Sequence, residues 1–470
     1  MLPWRQTAVG AVVSILLVTA VPSSLAEDVI ASRARGLLER TVREDGPGAV
    51  FLVGRGDTIV YSGTRGGGHI ELGVPLQAGH VFRIASITKM FVAASVLKLA
   101  ESGALSLDEP VARRLPEMGE ARGMTVRQLL NHTAGVSDTA QQSERSLTPR
   151  GYDRFARVTA IGQRPVDFPP GSGWRYSNAG YIVLGALVER ITGTPWYLTL
   201  DQQFFARLGL RHTGYADAPT LRSGRVAGYT TAAGQVRNVE FISPTIPDGA
   251  GGLVSTADDL FRWCRALAAG RVISRESVRQ MMTPAAETNG PIRYGLGVYV
   301  WTVRGETMIG HTGQIPGFAA MVGYLPARDM TIVALGNDDS FDARVVGRRL
   351  AAISIGTPYR DVAPVAVAAE ALQALTGQYR IDEATVRTLT VKDGRLYAQR
   401  GNGNALPLQV TADGRLHFDP DDLSYFVPVR GPSGQVVRLD YCQDGEGPAQ
   451  PLPRVTAQPR GPGASPLGVR

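Results

Sequence analysis

The sequence predicts an α+β domain, with an antiparallel sheet flanked by helices and a mostly helical subdomain, followed by a small all-β barrel domain. Three observations indicate this fold class. Strand-like segments near both ends of the first 356 residues enclose a stretch of helical patterns and loops, roughly residues 107–267. A Pro- and Ala-rich segment then interrupts the chain at residues 357–371. Beyond it, short strand-like segments alternate with Asp-Gly and Pro-Ser-Gly turns, as in a small barrel or sandwich.

The composition is that of a soluble globular protein. The 470 residues are 44% hydrophobic and 19% charged, which suffices for a sizeable core, and the length favours two or three folded units. The formal charge of +7 arises from 49 basic and 42 acidic residues, with no run of five or more Lys or Arg. This spread indicates a solvated cationic surface and argues against nucleic acid as a partner.

The first 26 residues have the layout of a secretory signal. Arg5 precedes an apolar run over residues 8–21, and the small residues Ser24 and Ala26 stand where a signal peptidase reads the chain. The run has about 14 residues, fewer than the roughly 20 that span a bilayer, so cleavage after Ala26 is expected rather than an anchor. The sequence thus predicts an exported protein, periplasmic or secreted, with no stable membrane span in its mature form.

The first domain is expected over residues 27–356. It should begin with an amphipathic helix over residues 28–44, followed by a β-hairpin that turns at residues 55–57. A long apolar helical pattern then runs over residues 87–102 and is closed by Gly103. Strand patterns return at residues 294–303, 306–310, 318–325 and 330–335. One sheet built from both ends of the domain is therefore expected.

The rest of the chain is expected to contain a linker at residues 357–371, the β-barrel at 372–445 and a tail at 446–470. Pro and Gly dominate the tail and its apolar periodicity vanishes, so it is predicted to be disordered. The two cysteines, Cys264 and Cys442, fall in different domains, and separately buried thiols are expected rather than a disulfide.

The segment Ser86-Ile87-Thr88-Lys89 places a serine and a lysine one helical turn apart. In a helix, Lys89 would lie on the same face as Ser86 and within reach of its hydroxyl. A serine hydroxyl needs a base beside it to act as a nucleophile, and a desolvated lysine near a helix N-terminus can serve in its neutral form. The backbone N–H of Ser86 would supply half of an oxyanion hole. Taken alone, the pattern is more typical of a helix cap followed by a solvated lysine.

A second segment, Tyr176-Ser177-Asn178, follows a tight Pro/Gly turn and precedes an amphipathic helix. A loop tyrosine beside a cation such as Lys89 can carry a phenolate or shuttle a proton, and the Asn178 amide can bind a substrate carbonyl and hold the lysine. Taken alone, Tyr176 also fits a packed loop aromatic and Asn178 a helix N-cap.

The third segment, Gly310-His311-Thr312-Gly313-Gln314, lies between two strand patterns. A glycine such as Gly313 on an edge strand lets a substrate backbone lie alongside, and the Gln314 N–H could be the second oxyanion donor. His311 could polarise the site or meet a substrate carboxylate. On its own, His311 is more typical of a histidine on a strand surface.

In this order the three segments resemble those of the penicillin-recognising serine hydrolases, the group around class C β-lactamases, DD-carboxypeptidases, D-aminopeptidases and their esterase relatives. Two flanking segments, Leu129–Gly135 and Gly251–Leu260, are also similar to the family. The resemblance covers about residues 30–355 and implies a β-lactamase/transpeptidase-like fold. The C-terminal part resembles the small β-barrel appended to many of these hydrolases.

The resemblance implies a role for each motif residue. Ser86 would attack and form an acyl-enzyme, while Lys89 and Tyr176 share the proton transfers. The substrate-binding residues would be Asn178, His311, Gly313 and Gln314. The chain has His311 where class C β-lactamases carry lysine, which is closer to the DD-carboxypeptidase and D-aminopeptidase members.

The predicted function is hydrolysis of a peptide, amide or ester through an acyl-enzyme, with a D-amino-acid peptidase or DD-carboxypeptidase-like activity preferred. An esterase or β-lactamase of the same fold is one alternative, and a penicillin-binding sensor that is acylated without turnover is another. The expected partner is a small molecule or short peptide, with cell-wall peptide as one candidate.

Two other hydrolase classes lack their motifs in this sequence. No Gly-x-Ser-x-Gly elbow of an α/β-hydrolase occurs. The histidines show no metal-binding spacing, so neither a metal nor another cofactor is expected. They stand at positions 69, 80, 132, 212, 311 and 417.

Overall fold

The computed structural model describes residues 23–119, 123–138, 153–216, 221–284, 286–287, 293–419 and 423–455. The helices are α1 (Ser23–Thr41), α2 (Thr88–Glu101), α3 (Val126–Leu130), α4 (Arg154–Gly162), α5 (Asn178–Thr192), α6 (Trp196–Leu200), α7 (Ala206–Leu208), α8 (Ala257–Ala268), α9 (Arg275–Met282), α10 (Ala343–Ile355) and α11 (Ala369–Gln373). The strands before α10 are β1 (Ala49–Arg55), β2 (Thr58–Arg65), β3 (Gly67–His69), β4 (Val74–Pro75), β5 (Phe82–Arg83), β6 (Gly214–Tyr215), β7 (Tyr229–Ala232), β8 (Gln235–Asn238), β9 (Leu253–Ser255), β10 (Ala286–Glu287), β11 (Arg293–Tyr294), β12 (Tyr299–Val303), β13 (Glu306–Ile315), β14 (Phe318–Leu325) and β15 (Met330–Gly336). The strands after α11 are β16 (Gly377–Arg380), β17 (Val386–Lys392), β18 (Arg395–Arg400), β19 (Ala405–Val410), β20 (Leu416–Phe418), β21 (Tyr425–Arg430), β22 (Val436–Cys442) and β23 (Gln450–Pro453).

The main sheet joins the two ends of the first domain. Its strand order is β10-β11-β12-β13-β14-β15-β1-β2, and β1 pairs antiparallel with β15 so that Ala49 lies opposite Gly336. Strand β1 is buried on both faces, because Val50 and Leu52 pack into the large helical core whereas Phe51 packs with α1 and α10. The predicted α+β sheet from N- and C-terminal segments is confirmed.

Helix α2 lies at the centre of the helical layer. Eleven of its residues are buried, from Thr88 to Leu99, and it packs against α5 and α6. The sequence favours a helix here because it is rich in Ala and Leu and contains neither Gly nor Pro until Gly103, which adopts a φ of 75° after the helix ends. The first turn of α2 is thereby held rigidly inside the protein.

The C-terminal strands form a nearly closed antiparallel barrel in the order β16 to β23, as predicted. The expected disordered tail is wrong for residues 446–455, because β23 pairs with β22 and Leu452, opposite Leu439, is buried in the barrel core. A bridge between Tyr379 and Arg454 brings the first and last strands together. The two prolines of β23 lack a backbone N–H, but they do not prevent this pairing because β23 lies at the end of the sheet. Residues 456–470 lie outside the described residues.

Two further expectations concern the boundaries of these units. The barrel unit begins before residue 372, since α11 lies partly within the predicted linker and its Leu372 packs into the barrel core. The predicted signal segment lies outside the described residues up to residue 22.

Cys264 is buried and Cys442 half-buried, and both thiols are free. Within the described ranges no helix combines the length and apolarity needed to cross a membrane.

Candidate active site

Ser86 lies in a short 3-10 turn, Ala85–Ile87, between β5 and α2. The prediction that it opens the helix is therefore correct to within one turn. Ala85 has a φ of 44°, a left-handed conformation that residues with a Cβ rarely adopt. This sharp turn exposes Ser86 to a cavity at the N-terminal end of α2, where backbone N–H groups have no acceptor within the helix.

The ammonium group of Lys89 is buried beneath Ser86. Its side chain is 0% exposed, and Nζ lies 3.1 Å from Ser86 Oγ, 2.8 Å from Asn178 Oδ1 and 2.9 Å from the carbonyl oxygen of Ala250. Burial lowers the pKa of Lys89 to about 7, and the Asp138 carboxylate acts in the opposite direction. Neutral and charged forms are therefore both accessible near neutral pH.

The partners of Lys89 define how its neutral form is oriented. Both Asn178 Oδ1 and the Ala250 carbonyl can only accept, so they take the two hydrogens of a neutral amine. The nitrogen lone pair is then left facing the third partner, the Ser86 hydroxyl. This arrangement is the one required for an amine to remove a proton from the serine.

Tyr176 lies beside both Ser86 and Lys89. Burial raises the pKa of the phenol well above its usual value of 10, whereas a hydrogen bond with Ser86 acts in the opposite direction. Of the two forms considered from the sequence, the neutral phenol is favoured over the phenolate. The ring also covers Lys89, whose Nζ is 4.7 Å from the ring centroid, so it helps to keep water from the amine.

The carbonyl of Ala250 faces Lys89 because a buried carboxylate, that of Asp248, holds the short turn to which both residues belong. Asp248 is 0% exposed and accepts hydrogen bonds from Trp196 Nε1 at 2.5 Å and Arg154 Nε at 2.8 Å. Arg157 donates to the carbonyl of Ile246, a residue that lines the cavity. Helix α4 therefore holds the wall of the site, a role that the sequence patterns did not indicate.

Strand β13 extends along the cavity. Strand β12 pairs with it only as far as Gly310, so residues 311–315 have β14 on one side while Thr312 and Gln314 line the cavity on the other. Gly313 is required for a different reason from the one expected. A Cβ at this position would lie 2.2 Å from the carbonyl oxygen of Ile84, so only glycine lets the strand approach the Ser86 turn.

His311 is not on the surface and does not line the cavity, which corrects the expectation that it meets a substrate carboxylate. It is 1% exposed, with Nδ1 2.5 Å from the carbonyl oxygen of Thr312 and Nε2 3.0 Å from the hydroxyl of Tyr294. Because a carbonyl only accepts, Nδ1 carries the proton and Tyr294 donates to Nε2. Burial, together with Lys89, lowers the pKa of His311 to about 3. The imidazole ring is thus neutral, and it packs behind the residues that line the cavity.

Asp138 belongs to the site although it lies in none of the three motif segments. Its carboxylate accepts hydrogen bonds from the backbone of Asn178 and Ala179, from the Asn178 side chain and from the Ser177 hydroxyl. It stands three residues beyond the family-like segment that ends at Gly135, so no motif identified it.

The cavity has a volume of about 450 Å³ and a lining without formal charge among the described residues. Its polar side chains are Ser86, Tyr176, Asn178, Tyr299, Thr312 and Gln314. Its apolar wall comprises Ile242, Ile246, Pro247, Ile315 and Pro316. The arrangement offers a serine, a base, a neutral acid and a surface suited to uncharged groups.

The chain is similar in sequence and in fold to several known proteins. A family model described as Beta-lactamase matches residues 33–356. The esterase EstB of Burkholderia gladioli is 31% identical over 304 residues, which are 56% of this chain and 77% of that protein. The crystal structure of D-amino acid amidase from Ochrobactrum anthropi SV3, complexed with D-phenylalanine, is 25% identical with a TM-score of 0.62 over 70% of this chain and 99% of that one. The octameric penicillin-binding protein homologue from Pyrococcus abyssi, at 21% identity and a TM-score of 0.65, shares the fold over 87% of this chain and 97% of its own.

Proposed function

The chain belongs to the beta-lactamase family of serine hydrolases, and we propose that it cleaves uncharged amides or esters, D-amino-acid derivatives foremost, through an acyl-enzyme on Ser86. The observation that carries the proposal is the contact of 3.1 Å between Lys89 Nζ and Ser86 Oγ, with two carbonyl oxygens holding the other positions of the amine.

In the proposed acylation, neutral Lys89 takes the proton of Ser86 as Oγ attacks the substrate carbonyl. The negative charge that develops on the carbonyl oxygen is stabilised by the backbone N–H groups of Ser86 and Gln314. The bond to the leaving group then breaks, and the neutral phenol of Tyr176 donates a proton to the departing nitrogen or oxygen. Tyr176 regains a proton from the charged Lys89, which restores the neutral amine and leaves the acyl group on Ser86.

Deacylation repeats these steps with water in place of the serine hydroxyl. Water attacks the ester carbonyl of the acyl-enzyme and loses its proton to the Lys89 and Tyr176 pair, and Ser86 leaves as the free hydroxyl. Asn178 contributes by holding Lys89 and by offering its amide to the substrate.

The neutral lining of the cavity favours substrates without a charge near the scissile bond. A free carboxylate there would lose its hydration and find no cation among the described lining residues. This supports an esterase or an amidase that acts on N-blocked substrates over a DD-carboxypeptidase or β-lactamase, whose substrates carry a carboxylate. The similarity to an esterase and to a D-amino acid amidase agrees with this choice.

The test is a matched substrate pair. We expect an N-acylated D-Ala-D-Ala dipeptide amide to be hydrolysed with a kcat/KM at least about 10-fold above that of the free acid, since an unpaired carboxylate in such a site costs more than about 1 kcal/mol. p-Nitrophenyl butyrate should also turn over. Preference for the free acid would contradict the proposed substrate class, and one acylation per protein without turnover would establish a sensor.

We further propose that the protein is exported after removal of its first 26 residues. Cleavage after Ala26 would remove only the first four residues of α1, whereas Ile30, Ala34 and Leu37, which pack into the core, would remain. Glu27, then the first residue, would keep its ion pair with Arg55 at 3.2 Å. N-terminal sequencing of the protein from an exporting host should begin at Glu27; an N-terminus at Met1 would contradict the proposal.

A further inference from the structure

Asn178 can accept a hydrogen bond from Lys89 only in one of two orientations of its amide. Its Oδ1 lies 2.8 Å from Lys89 Nζ, whereas a rotation of 180° about the last side-chain bond would turn the NH₂ group towards the amine. The two orientations of the amide have nearly the same shape, so packing alone does not decide between them. Something on the far side of Asn178 must fix which atom faces the base.

Asp138 is the group on that far side. Its Oδ2 accepts from Asn178 Nδ2 at 3.2 Å and from the Asn178 backbone N–H at 2.9 Å. Because a carboxylate only accepts, it attracts the NH₂ end of the amide and so turns Oδ1 towards Lys89.

The carboxylate is itself held at the start of α5. Its Oδ1 accepts from the Ala179 backbone at 2.8 Å and from the Ser177 hydroxyl at 2.9 Å. Ser177 in turn caps the helix by accepting from the Gly180 N–H at 3.1 Å. A negative charge at a helix N-terminus is also stabilised by the helix dipole. Three donors, the backbone N–H groups of Asn178 and Ala179 and the Ser177 hydroxyl, therefore fix Asp138 independently of its contact with the Asn178 side chain.

We propose that Asp138 is a positioning residue of the active site, which orients the Asn178 amide so that its oxygen faces Lys89. The inference rests on the proposed role of Lys89 as the base. It predicts that Asp138 influences the protonation of an amine that it reaches through Asn178, in addition to stabilising α5.

Asp138 acts on the pKa of Lys89 in two ways, and both raise it. The negative charge favours the ammonium form, and the oriented Oδ1 accepts from it. The other titratable groups around Lys89 come from several elements, and none has a pKa near neutrality. Burial lowers the pKa of His132 and His311 and raises that of Tyr176, Tyr181, Tyr294 and Tyr299. A titration between pH 5 and 9 therefore reports Lys89.

The experiment compares the pH dependence of kcat/KM for p-nitrophenyl butyrate in the wild type and in Asp138→Asn. We expect the acid limb of the variant to move to lower pH by about 1 unit, because Lys89 loses a nearby negative charge. The plateau should fall by up to about 10²-fold, because the amide is no longer held in one orientation. Asp138→Glu, which keeps the charge, should leave the midpoint near that of the wild type while lowering the plateau.

Asp153→Asn is the matched control, since Asp153 caps α4 by accepting from the backbone of Phe155 and Ala156. It removes a capping carboxylate elsewhere and should leave the midpoint unchanged. An unshifted midpoint in Asp138→Asn, or a shift to higher pH, would overturn the positioning role. If Asp138→Asn does not fold, a midpoint in Asp138→Glu that differs from the wild type by 1 unit or more would overturn it. Absence of an acid limb near pH 7 in the wild type would instead contradict the proposed base.

Discussion

Replacement of Ser86 by alanine is expected to abolish acyl-enzyme formation and to lower kcat/KM by about 10⁴-fold or more, the usual loss when a nucleophile is removed. The Ser86 hydroxyl faces the lone pair of neutral Lys89, to which it donates, and its oxygen would form the covalent bond. Intact-mass spectrometry after reaction with a fluorophosphonate should show one adduct on the wild type and none on Ser86→Ala.

A serine within α2, the helix that follows the Ser86 turn, provides the control. Ser95 is 0% exposed and its hydroxyl bonds Gln203 at 2.8 Å, away from the cavity. Ser95→Ala should lose stability rather than labelling, because the half-buried Gln203 loses its hydrogen-bond partner. Ser86→Ala should unfold at nearly the wild-type temperature, since the serine lines an open cavity. Complete labelling of Ser86→Ala would exclude it as the nucleophile.

The parts of the fold that the sequence predicted are those with strong local periodicity. The hairpin of β1 and β2 follows from alternation around the turn at residues 55–57, and α2 from its apolar helical pattern. The order of Ser86, Tyr176 and His311 along the chain was sufficient to indicate the family. The structure then places the Ser86 hydroxyl and the Asn178 amide oxygen within hydrogen-bonding distance of the Lys89 amine.

The features that were not predicted depend on contacts between distant segments. His311 lies in a strand whose pattern permits either a surface or a buried position, and only the packing of Tyr294 and Thr312 decides between them. Asp138 acquires its role from the start of α5, about 40 residues later. Strand β23 lacks an apolar pattern because a single side chain, Leu452, anchors it in the barrel.

For the wild type, kcat/KM for an uncharged ester is expected to rise with pH through about 7 and then to remain level to pH 9. The active form of Lys89 is the neutral amine, which predominates above its pKa of about 7. The fall on the acid side therefore reports protonation of the base. No alkaline fall is expected in this range, because burial keeps the pKa of Tyr176 well above 10. If a Tyr176 phenolate were the base instead, activity would rise only at strongly alkaline pH.

Substitution of Lys89 should remove this acid limb and lower kcat/KM by about 10² to 10⁴, the range for a general base. Lys89→Met keeps most of the buried volume without an ionisable group, and Lys89→Arg keeps a cation that stays protonated. Both should show the same loss, because the reaction needs a free lone pair and not a positive charge. Lys98→Met, in the last turn of the same helix, should retain the wild-type profile, since Lys98 donates to Val272 far from the cavity. Activity of Lys89→Arg within 10-fold of the wild type would show that the lysine acts only by its charge, and the base would then have to be sought elsewhere.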